Sequence, residues 1–192
     1  IMTEPHSRRG RFFNHVYDVE LAAKILDFLS SFIEFRKNKS SEKQHHSHAM
    51  LDKNMELFAW GLLVNLCESS AVTSYLLTNS NTLSILRTLM ELAFNQMINQ
   101  PPLKTESEEG SQKISGTGNT SHGFHCRGYQ FLVLGIVMTK QRNLALHRFS
   151  SKEKEKVQEG LREFELGLSA EWGRGLRSQV THVLKLFDEA NE

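Results

Sequence analysis

Across 16–35 apolar residues return every three or four positions, with Val19, Ala22, Ala23, Leu26, Leu29, Phe32 and Ile33 on one stripe and Asp18, Lys24, Asp27 and Glu34 off it. Residues three and four apart share a helical face, so this period predicts an amphipathic helix. A polar run over about 37–49 then breaks the pattern with Lys, Ser, Glu, Gln and His and no Gly or Pro to shape a tight turn; it is expected to be a mobile linker. A second helix is expected over 52–68. It carries Met55, Phe58, Ala59, Leu62, Leu63, Leu66 and Cys67 on one wide face and Trp60 and Val64 on the other. A helix apolar nearly all round must be covered on more than one side, which predicts that this one is the centre of the packing.

A short helix over 71–77 follows, with Asn81 as the expected cap of the next. Leu83, Leu86, Leu89, Met90, Ala93, Met97 and Ile98 mark a long helix that must stop before Pro101 and Pro102. The segment over about 101–123 holds Ser, Thr, Gly, Glu and Lys with almost no large apolar residues and is expected to be a disordered insertion. Structure is expected to resume near His125. There Tyr129, Leu132, Val133, Ile136 and Val137 predict a strongly buried helix, continued or restarted through Leu144 and Leu146 to Phe149. Ser150 followed by Glu153 reads as a capping box opening a helix that bears Val157, Leu161, Phe164 and Leu168. A kink is expected around Trp172, Gly173 and Gly175, and a closing helix over 176–190 uses Leu176, Val180, Val183, Leu184 and Phe187. No stretch alternates as a strand would. The pattern predicts an all-α chain of stacked antiparallel helices of HEAT or armadillo-like repeat type, an α-solenoid fragment, with a compact irregular bundle as the alternative.

The chain's 192 residues suffice for one domain with a real core. They read as one helical-repeat domain or the C-terminal part of a longer one. The start at Ile1, with Met2 behind it and no evident N-terminal cap, reads as that of an excised piece whose first helix lacks a neighbour. Hydrophobic residues at 39%, charged residues at 23% and a net charge of +1 are globular values without bulk attraction to nucleic acid or anionic lipid, so partners must be read from local patches. The polar, basic start lacks the apolar stretch of a signal peptide, and no apolar run approaches the about 20 residues that span a bilayer. An intracellular protein with no membrane partner is expected. Cys67 and Cys126 lie in or beside apolar helical runs, which predicts reduced, core thiols rather than a disulfide.

Candidate chemistry is sparse. His45, His46 and His48 are metal-ligand types, but no Cys or carboxylate is fixed beside them. His122, His125 and Cys126 form a second set, whereas a structural zinc site calls for four ligands in paired spacing. No metal and no cofactor are therefore assigned. The chain contains no phosphate loop, dinucleotide fingerprint, nucleophile elbow or H-E-x-x-H pair, and Gly116 and Gly118 sit in the Ser/Thr-rich insertion with no strand before them. A non-catalytic role is expected. On charge alone, Lys140, Arg142, Arg148, Arg174 and Arg177 are the partner-binding candidates. The competing reading makes them solvated helix ends favoured by the helix dipole. Acidic residues interleave with Lys152, Lys154 and Lys156, so no continuous nucleic-acid stripe forms and direct nucleic-acid contact is left open.

The most informative string is Ala59-Trp60-Gly61-Leu62-Leu63-Val64-Asn65-Leu66-Cys67-Glu68. Trp60 and the leucines are expected to fill a layer, Gly61 to admit a close neighbouring helix, and Asn65 to lie buried with its amide bonded to an adjacent connector. All three read as structural. The tryptophan, leucines and Asn65-Leu66 resemble the third helix of armadillo repeats. More specifically, the ten residues from Gly61 to Ser70 resemble the G-L-L-[IV]-N-L-x-E-x-S segment in the C-terminal domain of the wings apart-like (Wapl) cohesin release factors. A polar insertion, a buried helix such as Tyr129-Gln130-Phe131-Leu132-Val133-Leu134-Gly135 and a closing helix such as Ser178-Gln179-Val180-Thr181-His182-Val183-Leu184 follow in the same order. The resemblance runs from about Met55 onward. It implies a nuclear, non-catalytic HEAT-repeat module that docks on cohesin subunits and their regulators and promotes release of cohesin from chromatin. It carries over no binding residue. The alternative is an unrelated armadillo-type adaptor for a peptide or protein, for which Asn65 would face a groove instead of the core.

Overall fold

The helical periods are realised as helices throughout the residues that the computed structural model describes, 8–38, 46–99, 118–168 and 174–189. In chain order these are α1 (Arg8–Asn38), α2 (His46–Leu66), α3 (Ser70–Thr78), α4 (Ser80–Ile98), α5 (Gly118–Lys140), α6 (Arg142–Arg148), α7 (Ser151–Gly167) and α8 (Arg174–Asp188). No strand occurs among the described residues. The protein is all-helical, with its helices packed around one continuous apolar core.

Two expected polar segments are shorter than their composition suggests. Helix α1 runs on to Asn38 and α2 begins at His46, so both ends of the 37–49 linker are helical and 39–45 lie outside the described residues. Similarly, α5 starts at Gly118, making the last six positions of the 101–123 insertion helical, while 100–117 lie outside the described residues. Polarity is a poor guide there because a helix end gains its stability from the packed turns behind it, not from its own propensity. Of the expected kink, Trp172 and Gly173 fall outside the described residues, and Gly175 lies in the first turn of α8.

The centre of the packing is α5, not α2. Helix α5 touches α2, α3, α4, α6, α7 and α8, and every residue from Phe131 to Met138 is buried. That run of eight holds no charge, so it can be covered all round without stranding a polar group. Helix α2 leaves Met55 and Phe58 exposed and buries Glu56 instead.

The contact between α5 and α7 is built from reciprocal insertions. A β-carbon on Gly128 of α5 would overlap the ring of Phe164 on α7, and one on Gly160 of α7 would overlap the ring of Phe131 on α5. Each helix thus offers a bare backbone site for the other's phenyl ring, and both rings are almost completely buried. Full burial of a phenylalanine contributes roughly 2–3 kcal/mol. Further along the same helices, the Lys156 ammonium lies 2.7 Å from a Glu91 carboxylate oxygen and over the Phe94 ring, joining α7 to α4.

Local signals place the helix starts. The predicted capping box is present: Ser150 Oγ accepts from the Glu153 N–H, and the Glu153 carboxylate accepts from the Ser150 N–H at 2.7 Å. Helix α4 is capped by Asn79 rather than Asn81, the Asn79 side chain accepting from the N–H groups of Asn81 and Thr82. Asn79 holds the extended backbone that an N-cap requires, whereas Asn81 already lies inside the helix. Lastly, α6 is a true restart: the path breaks at Gln141, whose amide donates to the Ser70 carbonyl and the Thr73 hydroxyl.

Candidate functional site

The string from Gly61 to Ser70 has two faces. Leu63, Val64 and Cys67 are buried, and Trp60 just before them fills the core as expected. The Trp60 Nε1 has no hydrogen-bond partner among the described residues. Gly61 and Asn65 correct their expected roles. Nothing lies within 4 Å of a β-carbon built on Gly61, so it admits no close helix. Asn65 is exposed instead of bonded in the core.

Both residues line an open groove of about 510 Å³ between α2, α5 and α8. Its apolar surface comes from Leu57, Phe58, Leu62, Tyr129 and Leu176, and the amides of Asn54, Asn65 and Gln179 punctuate it. Phe58 stands 73% exposed at this groove, a large apolar side chain left in water. Residues at 54, 57, 58, 61, 62 and 65 recur at helical spacing, so one face of α2 supplies most of the lining. Sequence periodicity alone puts Phe58 on the core face. The apolar stripe of α2 is wider than its neighbours can cover, and only the tertiary arrangement decides which part stays open.

A second hollow, of about 740 Å³, lies where α6 meets the end of α8 and includes Arg142, Leu146 and Phe187. The five cations selected on charge are not gathered there. Lys140 donates at 2.8 Å to both the carbonyl and the carboxylate of Glu68, tying the end of α5 to the connector after α2. Arg142 donates to the Leu186 carbonyl at 2.8 Å, and Arg177 to the Leu168 carbonyl at the end of α7. These three satisfy carbonyls at or near the C-termini of other helices. The Arg148 carbonyl accepts from Arg87, while its own guanidinium is exposed. The side chain of Arg174 lies outside the described residues.

Between α2 and the start of α5, three polar side chains meet. Glu56 of α2 is only 3% exposed, and one of its carboxylate oxygens lies 3.4 Å from His122 Nε2. Cys126, one turn further along α5, places its sulfur 3.4 Å from the same nitrogen. The expected trio of His122, His125 and Cys126 is therefore not what assembles. His125 turns away to pack edge-on against Phe124 and Phe164. Glu56 carries no signal in the sequence, because an acidic residue in a helix normally reads as solvent-facing. The i, i+4 pair of His122 and Cys126 becomes legible once those residues are known to be helical.

Neighbouring charges feel the burial. Burial pulls the Arg127 guanidinium below its ordinary value, against the carboxylate of Glu163, and burial pushes the Glu163 carboxyl up, against the pull of Arg127. The other thiol, Cys67, is driven up to about 12 by its complete burial. Both cysteines are buried, as expected, and neither is in a disulfide.

The fold and these surfaces define a class: an all-helical protein with an open, mixed apolar and amide groove on its central helices. Compared with family models, with curated proteins and with solved structures, the chain matches none of them. Among the described residues no helix is long and apolar enough to cross a membrane.

Proposed function

We propose that the chain is a non-catalytic protein-interaction scaffold of helical-repeat type that captures its partner in the groove between α2, α5 and α8. The observation that carries this reading is Phe58, exposed beside Leu62, Leu176 and the amides of Asn65 and Gln179. An exposed aromatic anchor in an apolar depression is the composition of binding hot spots, and flanking amides can both donate to and accept from a partner's main chain. The packing of α5 against α2, α3, α4, α7 and α8, with α1 against α2, α3 and α4, supports a short helical-repeat array.

For the partner, the ten-residue resemblance to the wings apart-like factors supports cohesin subunits and their regulators in the nucleus. On that reading, the scaffold would promote cohesin release by binding one state of the ring more tightly than another, with no chemistry of its own. Purified cohesin head and regulator subunits, tested against this chain, should bind it, and substitution of Phe58 and Asn65 by alanine should weaken the complex. No binding at micromolar concentrations sinks the cohesin assignment.

The exposure of Asn65 favours a second reading, an armadillo-type adaptor for an unrelated peptide. An asparagine on a groove is placed to bond an extended main chain, a role a buried one cannot fill. A random peptide display screened on the chain should then return ligands that lose binding in Asn65→Ala. Selection of no groove-dependent peptide would remove this alternative.

A further inference from the structure

The meeting of Glu56, His122 and Cys126 carries a conclusion separate from the groove. One oxygen, one nitrogen and one sulfur, all within 4.8 Å of one another, converge from two helices whose residues are 66 positions apart. Among the described residues no other three such groups gather this way.

A single hydrogen bond at His122 does not account for both of its contacts. Both contacts involve Nε2 of His122, at 3.4 Å to the carboxylate and 3.4 Å to the sulfur. The carboxylate contact is longer than the about 2.7–3.2 Å of an ordinary N–H to oxygen bond, and one ring nitrogen, carrying at most one proton, cannot donate to the carboxylate and accept from the thiol at once. A nucleophilic relay is also excluded by this geometry, because it needs the thiol on one imidazole nitrogen and the carboxylate on the other.

Metal coordination fits both distances. Bond lengths of about 2.3 Å to sulfur and about 2.0–2.1 Å to nitrogen and oxygen, at tetrahedral angles, put neighbouring donor atoms about 3.3–3.6 Å apart. The i, i+4 spacing of His122 and Cys126 presents both on one face of α5, toward Glu56 on α2. The donor types agree as well: thiolate with imidazole and carboxylate suits zinc over magnesium or calcium. One carboxylate and one thiolate would neutralise a divalent ion, which matters where Glu56 and Cys126 are 3% and 4% exposed.

We propose that Glu56, His122 and Cys126 form a zinc-type site that cross-links α2 to the start of α5 and leaves a fourth coordination position for water or an incoming ligand. On binding, the Cys126 thiol releases its proton to solvent and the thiolate takes its place on the metal, while His122 binds as the neutral imidazole through Nε2. The cross-link lies where α5 emerges from residues 100–117 and meets the helix that lines the groove, so metal would stabilise the helix pair on which partner binding depends.

The full chain, stripped with a chelator, should be titrated with zinc against a chromophoric competitor and separately with cobalt. The expected result is one tight equivalent and a thiolate-to-cobalt charge-transfer band with the strong visible bands of tetrahedral cobalt. Cys126→Ser should abolish the charge-transfer band, and His122→Ala should weaken zinc binding by at least the roughly 100-fold that loss of an outer-shell partner alone can cost. Replacing His45, His46 and His48 together by alanine, or Cys67→Ala, should leave the band in place. A wild-type chain with no thiolate band overturns the proposal whether or not the variants fold. So does zinc binding that survives Cys126→Ser and disappears in the triple histidine variant.

Discussion

Gly160 of α7 and Phe131 of α5 are one fitted pair: the phenyl ring lies where a β-carbon on residue 160 would have to be. Gly160→Ala should therefore destabilise the protein by about 1–3 kcal/mol through overpacking, despite the roughly 1 kcal/mol that alanine gains over glycine in a helix. Gly61→Ala is the matched control. With nothing within 4 Å of its β-carbon, it should be neutral or stabilise by up to about 1 kcal/mol. Thermal melts of the two variants check this, and a lower melting temperature for Gly61→Ala than for Gly160→Ala would contradict the packing described.

The capping box gives stability with a defined pH dependence. Burial pushes the Glu153 carboxyl up, but hydrogen bonds from Ser150 and the nearby Arg87 outweigh it and hold the group below its ordinary 4.5. A depressed carboxyl stabilises the fold above its unfolded value, and this contribution is lost as pH falls through the folded one. Denaturant melts from neutral pH into the acid range should show this loss in the wild type and a shallower one in Glu153→Gln. Ser150→Ala should cost about 1 kcal/mol at neutral pH.

The groove separates binding from folding. Phe58 contributes little to the core, so Phe58→Ala should change stability by no more than about 0.5 kcal/mol. Partner affinity should nonetheless drop by about tenfold or more, as for an aromatic hot spot. Asn65→Ala should behave likewise. Parallel melts and binding isotherms decide it; equal affinity for wild type and both variants would move the docking surface elsewhere.

Among the basic residues, Lys140 and Arg142 hold carbonyls and Arg148 exposes its guanidinium. Lys140→Ala and Arg142→Ala should each cost at most about 1 kcal/mol of stability. Arg148→Ala should leave stability unchanged, so a loss of partner binding in Arg148→Ala would report a direct contact. Loss in Lys140→Ala without loss of stability would show that Lys140 leaves Glu68 to reach the partner.

Much was legible from residue order. Helical period is a local property, so Val157, Leu161 and Phe164 fall on the buried face of α7 as their spacing predicts, and Val180, Val183, Leu184 and Phe187 do the same on α8. The Ser150–Glu153 cap spans four residues and needs no distant partner. The burial of both cysteines followed from their apolar neighbourhoods.

What the sequence by itself determined, then, is that the chain is helical, which stripes are apolar and where its best-capped helix begins, because each depends on residues within a turn or two. Only the tertiary structure decided that α5 is central, that Phe58 and Asn65 face water while Glu56 faces the interior, and that Glu56 meets His122 and Cys126. On a helix apolar nearly all round, periodicity cannot choose the covered side. That choice depends on which neighbours arrive, and the main partner of α2 is α5, far along the chain.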